Sequence, residues 1–514
     1  MYGAESLVAT LTDHGVNLCF ANPGTSEMHF LSALDNPKMR SVLCLYEGVC
    51  TGAADGYYRM TGKPASTLLH LGPGLVNGLS NIHNAKRASS AMVNIVGEHA
   101  DAHLKYDAPL TSDIEGLARP LSHWVRRTDT AKTLAHDTAR AVAAASVRPG
   151  QIATLILPGN TSWGDAGEVP KIDIEPYEAP AISTGKVEEI ARILKSGESN
   201  LIVVGGFVTR GPALESLGKI AAATGCTLAT QFFTSRIERG AGRVTLNRIP
   251  YAIPQAIEFL KKFKNIITVE TGEPVAFFSY PGKPSLLKRD DAHVHHLVEK
   301  GQDGTDALEM LVDAVGARNA KVQYQARTEV SPPSGNIEPV SIANVLTAAM
   351  PENAILVDES LTSGRETMGL TAGAAPHDTI QNMGGSIGYG TPVATGAAIA
   401  CPDRRVICMV GDGSAMYTIQ SLWTQARENL NITTIIFANN SYKILKAEYA
   451  NMGFGAPGPQ ALAMMDIDKP SIDWVFMAKS MGVPGVSVET AEDFYKALMR
   501  ANAEPGPSLI EVKL

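Results

Sequence analysis

Residues 406–442, VICMVGDGSAMYTIQSLWTQARENLNITTIIFANNSY, constrain the fold more than any other stretch. The apolar run at 406–410 suits a buried strand, and Gly411-Asp412-Gly413 ends it in a turn. Ser414 is placed to cap a helix in which Ala415, Ile419, Leu422, Trp423 and Ala426 share one apolar face. The β-branched run at 432–438 predicts a second strand. A right-handed crossover makes the two strands parallel and adjacent. Asp412 and Asn439 then lie just past the carboxyl ends of their strands, where open α/β sheets bind ligands. A carboxylate, an amide oxygen and backbone carbonyls suit Mg²⁺ better than zinc, because Mg²⁺ takes hard oxygen ligands and shares them with phosphate. Gly413 and the Ser414 amide, at a helix N-terminus, would serve the phosphate oxygens. Gly-Asp-Gly alone leaves open an ordinary turn with Asp412 as a solvated loop acid.

Length sets the number of such units. A chain of 514 residues exceeds one typical core and predicts about three domains. A net charge of −8 offers no general attraction for nucleic acid or anionic membrane. No apolar run approaches the roughly 20 residues that span a bilayer. Cys19, Cys44, Cys50, Cys226, Cys401 and Cys408 form no CxxC pair, which predicts reduced thiols and a cytoplasmic location. MYGAESLVATLTDHG lacks a positive leader region and predicts a first helix, not a signal peptide.

The first α/β unit is expected over residues 1–165. Strands at 16–20 and 41–46 lead into Asn22-Pro23-Gly24-Thr25 and into Glu47. Glu47 precedes a small-residue helix, so it is either a partly buried carboxylate or a helix N-terminal acid favoured by the dipole. A strand at 66–69 ends in His70, which is either structural or a proton carrier. Gly72-Pro73-Gly74 predicts a loop that lets backbone approach a ligand closely. Strands at 93–96 and 152–158 complete the unit, and residues 165–184 form a linker.

The second unit is expected over 185–320, with strands at 201–206, 226–230 and 266–270. Its Gly205-Gly206 is not GxGxxG, which argues against a nicotinamide site. His293 and His295 share a strand face but have no third ligand in view. A second linker, 320–337, precedes the third unit over 338–514. There a strand at 354–357 runs into Thr362 and Ser363, whose hydroxyls either contact phosphate or cap a helix. The expected fold is therefore α/β, with three doubly wound parallel-sheet domains.

Gly411-Asp412-Gly413 followed by Asn439 resembles the signature of thiamine diphosphate-dependent enzymes. The resemblance implies Mg²⁺ held by Asp412, Asn439 and the Ser441 carbonyl, with Asn440 as the rival ligand and Tyr442 at the family's usual tyrosine. Tyr46-Glu47-Gly48 with Ala53-Ala54-Asp55-Gly56-Tyr57 resembles the family's pyrimidine-binding segment. It implies that Glu47 hydrogen-bonds the cofactor's aminopyrimidine and so activates it toward a 2-oxo acid. Gly384-Gly385-Ser386-Ile387-Gly388 is similar to the loop beneath the cofactor. Ile387 would hold the cofactor bent, the Gly385 carbonyl would accept from its amino group, and Ser386, Gly413, Ser414, Thr362, Ser363 and Ile444 would complete the contacts. The three units become pyrimidine-binding (1–165), central (185–320) and diphosphate-binding (338–514) domains.

Within the family two subfamilies are mixed. His70 and Thr25 match a proton-transferring histidine and a carboxylate-binding hydroxyl of benzoylformate decarboxylase, whereas Gly72-Pro73-Gly74 is more like acetolactate synthase. Phe277, Phe278 and Ser279 stand where benzoylformate decarboxylase has a second histidine, and Glu98 where acetolactate synthases have glutamine. No counterpart of the synthases' flavin-contacting motif is found, so FAD is not expected, though it is left open. The leading expectation is an acetolactate-synthase-like enzyme that decarboxylates a 2-oxo acid such as pyruvate and joins the product to a second carbonyl. The alternative is a non-ligating decarboxylase, and a silent cofactor-binding subunit is a reading from another class. Ile444 and Leu445, with Thr25 and His70, would select the substrate. The expected assembly is a homodimer or homotetramer with active sites between subunits.

Overall fold

Apolar β-branched runs separated by amphipathic helices build the three sheets of the computed structural model, which describes all 514 residues. In the first unit, β1 (Leu18–Ala21), β2 (Arg40–Leu43), β3 (Ala65–Leu69), β4 (Met92–Glu98), β5 (Trp124–Arg127) and β6 (Ile152–Pro158) form a parallel sheet of order β2-β1-β3-β4-β6-β5. Strands β3, β4 and β6 are buried throughout, as befits a sheet covered by helices on both faces. The second unit contributes β7 (Asn200–Val204), β8 (Thr227–Thr230), β9 (Ile237–Arg239), β10 (Asn247–Arg248), β11 (Asn265–Val269) and β12 (His293–His296). All but β9 form a parallel sheet, β10-β8-β7-β11-β12. The third unit holds β13 (Ala354–Glu359), β14 (His377–Gln381), β15 (Val406–Gly411), β16 (Ile432–Ala438), β17 (Gly485–Val488) and β18 (Ser508–Lys513), ordered β17-β18-β16-β15-β13-β14-β9. Its β9 edge is antiparallel and comes from second-unit sequence, so that sheet is mixed.

Five local expectations need correction. The strand expected at 41–46 stops at Leu43, because Tyr46 occupies the cap position of the Glu47–Thr61 helix. The strand expected at 201–206 stops at Val204, and Gly206 begins a short 3₁₀ turn. Gly72-Pro73-Gly74 is not a loop but the first turn of the Leu71–Arg87 helix. Proline is tolerated there because first-turn amides have no partner within the helix. The helix expected after Asp412 is broken into Asp412–Ala415 and Ser421–Arg427. Gly411, not Ser414, occupies its cap position, and the buried Ser414 hydroxyl has no hydrogen-bond partner. Residues 166–183 carry neither helix nor strand, and 320–337 hold only isolated bridges.

The first and third units share one hydrophobic core, in which Leu18, Val49 and Leu69 pack with Val357, Tyr389 and Val393. The second unit has cores of its own. At the shared core the Glu47–Thr61 helix meets the Gly390–Ala400 helix backbone to backbone: a Cβ on Gly56 would lie 2.1 Å from the Val393 carbonyl oxygen. Arg59, 3% exposed, makes a double contact with Asp55 at 2.7 Å. Its Nη1 also donates to the Gln381 carbonyl at 2.6 Å and the Ser235 carbonyl at 3.1 Å, so one side chain ties all three units. No helix is long and apolar enough to cross a membrane.

Candidate active site

The third unit supplies an oxygen-rich corner. β15 and β16 are adjacent and parallel, with Gly411 opposite Phe437, so Asp412 and Asn439 emerge side by side at their carboxyl ends. Asp412 is 2% exposed. Its Oδ1 accepts from Gly413 N at 2.8 Å and its Oδ2 from Asn440 N at 2.6 Å. Burial nonetheless raises its pKa, and no cationic side chain compensates it. Asn440 adopts a left-handed conformation, φ 53°, which Asn tolerates, and this turns the chain back toward Asp412. Asn439 Oδ1 accepts from Ser441 N at 3.0 Å, and the Ser441 hydroxyl points away, to the Met465 carbonyl. The Tyr442 ring covers Gly413, where a Cβ would lie 2.4 Å from it. A buried carboxylate without a counter-cation, beside an amide oxygen and an unpaired Ser414 hydroxyl, fits a hard divalent cation and a phosphate group.

The loop ahead of the Gly390–Ala400 helix is pinned from both sides. Glu359 accepts from Gly388 N (2.9 Å), Tyr389 N (3.1 Å) and Gly390 N (2.7 Å). Asn84, on the first unit's Leu71–Arg87 helix, donates to the Ser386 carbonyl at 2.9 Å and accepts from Ser386 N at 3.1 Å. His83 meets the Gly384 carbonyl at 3.0 Å. These bonds fix the backbone on either side of Ile387 and leave its side chain facing a cavity of about 690 Å³. Phe232, Phe233, Tyr251, Phe277 and Phe278 from the second unit form one wall; Gly385, Ile387, Tyr442, Ile444 and Leu445 form the other. The phenylalanine rings meet edge to face, Phe277 and Phe278 with centroids 4.7 Å apart, and Tyr251 packs tilted against Phe232 and Phe277. Thr362 and Ser363 lie in the turn after β13, outside this lining.

The first unit carries the other candidates. Glu47, the first residue of its helix, is 5% exposed and accepts from Asn77 Nδ2 at 3.0 Å. Gly74 clears its approach: a Cβ there would stand 3.0 Å from Glu47 Oε1. His70 Nδ1 lies 2.8 Å from Oε2 of Glu27, a residue that sequence reasoning missed. Glu27 is 2% exposed, and Gly24 N and the Ser26 hydroxyl also donate to it. A carboxylate only accepts, so this contact calls for a proton on Nδ1 and leaves Nε2 open to other partners. Thr25 is exposed on the same loop. The available signal for Glu27 was its place two residues after Thr25, in a loop already marked by Asn-Pro-Gly. Glu47, His70, Thr25, Asp412 and Asn439 do not line the aromatic cavity; Gly385, Ile387, Tyr442 and Ile444 do.

Residues 1–117 match the family described as "Thiamine pyrophosphate enzyme, N-terminal TPP binding domain", and residues 366–512 its C-terminal TPP binding domain. A Mycobacterium tuberculosis protein with the provisional name acetolactate synthase large subunit IlvX is 48% identical over all of this chain and 99% of its own length. The chain belongs to the thiamine diphosphate-dependent enzymes. Its cofactor is thiamine diphosphate, and its relatives place it among the transferases and lyases of that family. Benzoylformate decarboxylase of Pseudomonas aeruginosa is 27% identical across 98% of this chain and 97% of its own. The solved thiamine diphosphate-dependent 4-hydroxybenzoylformate decarboxylase of Rhodococcus jostii superposes with a TM-score of 0.87 at 24% identity, covering 100% of this chain and 99% of that one, which shows the same fold.

Proposed function

We propose that this enzyme decarboxylates a 2-oxo acid with a bulky apolar or aromatic side chain. The observation that carries the reading is the aromatic wall of the cavity beside Ile387 and Tyr442. Such a wall rewards an extended apolar body and gives a methyl group little to contact. Bound thiamine diphosphate supplies the nucleophilic carbon and the electron sink that CO₂ loss requires. Glu47 holds the aminopyrimidine end by a proton-bearing hydrogen bond, steadied by Asn77. Asp412, Asn439 and the Ser441 carbonyl hold Mg²⁺ at the diphosphate end, and Gly413, Ser414, Thr362 and Ser363 face the phosphate oxygens. His70, its tautomer set by Glu27, moves a proton through Nε2, and the Thr25 hydroxyl binds the substrate carboxylate. The aromatic rings exclude water from the reacting carbon.

Active sites completed by the first unit of a partner subunit, in a homodimer or homotetramer, are part of this proposal. What supports it is that Glu47 and His70 stay outside the cavity formed by their own chain. Mixing inactive E47Q and D412N subunits restores activity under this arrangement, and failure of any such mixture to recover turnover excludes it. FAD is not part of it. In the second unit Glu270 accepts from Phe207 N at 2.6 Å and Gly304 N at 3.0 Å, taking the helix-terminal amides that a dinucleotide phosphate would need.

A second reading, ligation to a second carbonyl, is favoured by the name of the 48% identical relative and by Phe277 and Phe278 where a proton donor would stand. One panel decides. Protein with thiamine diphosphate and Mg²⁺ is given pyruvate or benzoylformate, each with and without an aldehyde. The proposal expects CO₂ from benzoylformate with the higher kcat/KM; turnover confined to pyruvate overturns it. Aldehyde as the product supports simple decarboxylation, and a 2-hydroxyketone supports ligation.

A further inference from the structure

Two arginines in the aromatic cavity have no assigned task. Arg248 reaches it from β10 in the second unit, and Arg365 from the turn after β13 in the third. Arg248 donates from Nε to the Phe232 carbonyl at 2.5 Å, and its guanidinium stacks 3.5 Å from the Phe232 ring centroid. That contact orients the group and leaves both Nη atoms unbonded within the chain. Arg365 lies 5.9 Å from the Tyr251 centroid and is exposed. Burial pushes the Arg248 guanidinium down to about 10; the nearby Asp358 carboxylate opposes that shift, and the charge of Arg365 adds to it.

The acids in the cavity are committed elsewhere. Glu359 serves the backbone of residues 388–390. Asp358 Oδ1 accepts from Ser360 N and Oγ, and its Oδ2 faces Gln381 at 3.4 Å. Glu448 accepts from the Tyr280 hydroxyl at 2.7 Å. Two arginines from different units thus reach one cavity, Asp358 close enough to favour the Arg248 charge, yet neither guanidinium is ion-paired and both are free to take an anion. Guanidinium forks suit carboxylate, sulfonate or phosphonate oxygens.

We propose that Arg248 and Arg365 together recognise a second anionic group on the substrate, at the end remote from its 2-oxo acid. The substrate is then a dianion with an apolar or aromatic spacer that lies along Phe277 and Phe278. This inference rests on the reading of the cavity as the substrate pocket.

The test is titration calorimetry on the protein loaded with thiamine diphosphate and Mg²⁺, using the unreactive pair 4-carboxyphenylacetate and phenylacetate. The dianion is expected to bind about tenfold tighter. R365A and R248M are each expected to remove most of that preference, and R248K to restore part of it. Arg365 is exposed, so R365A keeps the test decisive if R248M does not fold. Equal affinities in the unsubstituted protein, or a preference that survives both substitutions, overturn the inference. So does a comparable loss of thiamine diphosphate affinity in both variants, which assigns the arginines to the cofactor. A parallel assay with benzoylformate and 4-carboxybenzoylformate separates the two layers. No CO₂ from either, with the binding preference intact, removes the decarboxylase reading alone; equal kcat/KM on both removes the dianion alone.

Discussion

Replacing Glu359 by Gln tests how the loop beneath the cofactor is held. The side chain is 3% exposed and takes three backbone N–H bonds from residues 388–390. Burial outweighs those bonds and raises its carboxyl from 4.5 to about 7. Below pH 4.5 folded and unfolded chains both carry the proton, and this contribution to stability is fully present. As pH rises from 4.5 through about 7, the unfolded chain releases its proton while the folded chain keeps it, so stability falls. At about 1.4 kcal/mol per pH unit the total loss is about 3 kcal/mol. The amide introduced by E359Q cannot ionise and is spared that loss. Its NH₂ meets one of the three N–H groups, leaving a donor unpaired at a cost of about 1–3 kcal/mol. E359Q is therefore less stable than the parent at about pH 5 and gains about 3 kcal/mol on it by about pH 8, so the difference closes or inverts. Urea unfolding of the cofactor-free protein, followed by tryptophan fluorescence at several pH values, measures this. A stability difference that stays constant to within about 1 kcal/mol over that range refutes the reasoning.

Three further outcomes are expected. E27Q places an amide against His70 Nδ1, and kcat falls by about 10²–10⁴-fold while thiamine diphosphate affinity, read by fluorescence quenching, is retained. D412N weakens Mg²⁺-dependent cofactor binding by about 100-fold or more. Because burial raises the Asp412 pKa, its stability contribution is lost as pH rises above the usual 3.8, so any stability advantage of the metal-free parent over D412N narrows as pH rises toward neutrality, read as converging urea midpoints. G56A drives a Cβ to 2.1 Å from the Val393 carbonyl oxygen; helix displacement costs about 1–3 kcal/mol and appears as a lower Tm by calorimetry.

The parts of the site that follow from local chemistry were legible in the sequence. The β-branched run at 432–438 is β16 residue for residue, and Asp412 and Asn439 fall at the predicted strand ends. Glu47 at a helix start followed from the small-residue run behind it. What was not legible depends on long-range contact. Glu27 gains its meaning only from His70, 43 residues away. Glu359 looks like one more acid in a polar turn until the 388–390 amides arrive from the next loop. Ser414 looked like a cap because its residue type favours one, but the chain turns earlier, after Gly411. The β9 edge could not be assigned from its own three residues, since only pairing with the otherwise open edge of β14 makes them a strand.

The aromatic wall belongs to the unit that supplies none of the groups proposed to grip the coenzyme. Every group proposed to grip thiamine diphosphate lies in the outer units, which are fused through one interior, whereas Phe232, Tyr251 and Phe277 belong to the second unit, which has cores of its own. The aromatic part of the proposed selectivity is thus encoded on a different stretch of gene from the proposed catalytic groups, although Ile444, Leu445 and Arg365 of the third unit face the same cavity. A substitution at Phe232, Tyr251 or Phe277 reshapes that wall without touching any residue proposed to hold the coenzyme.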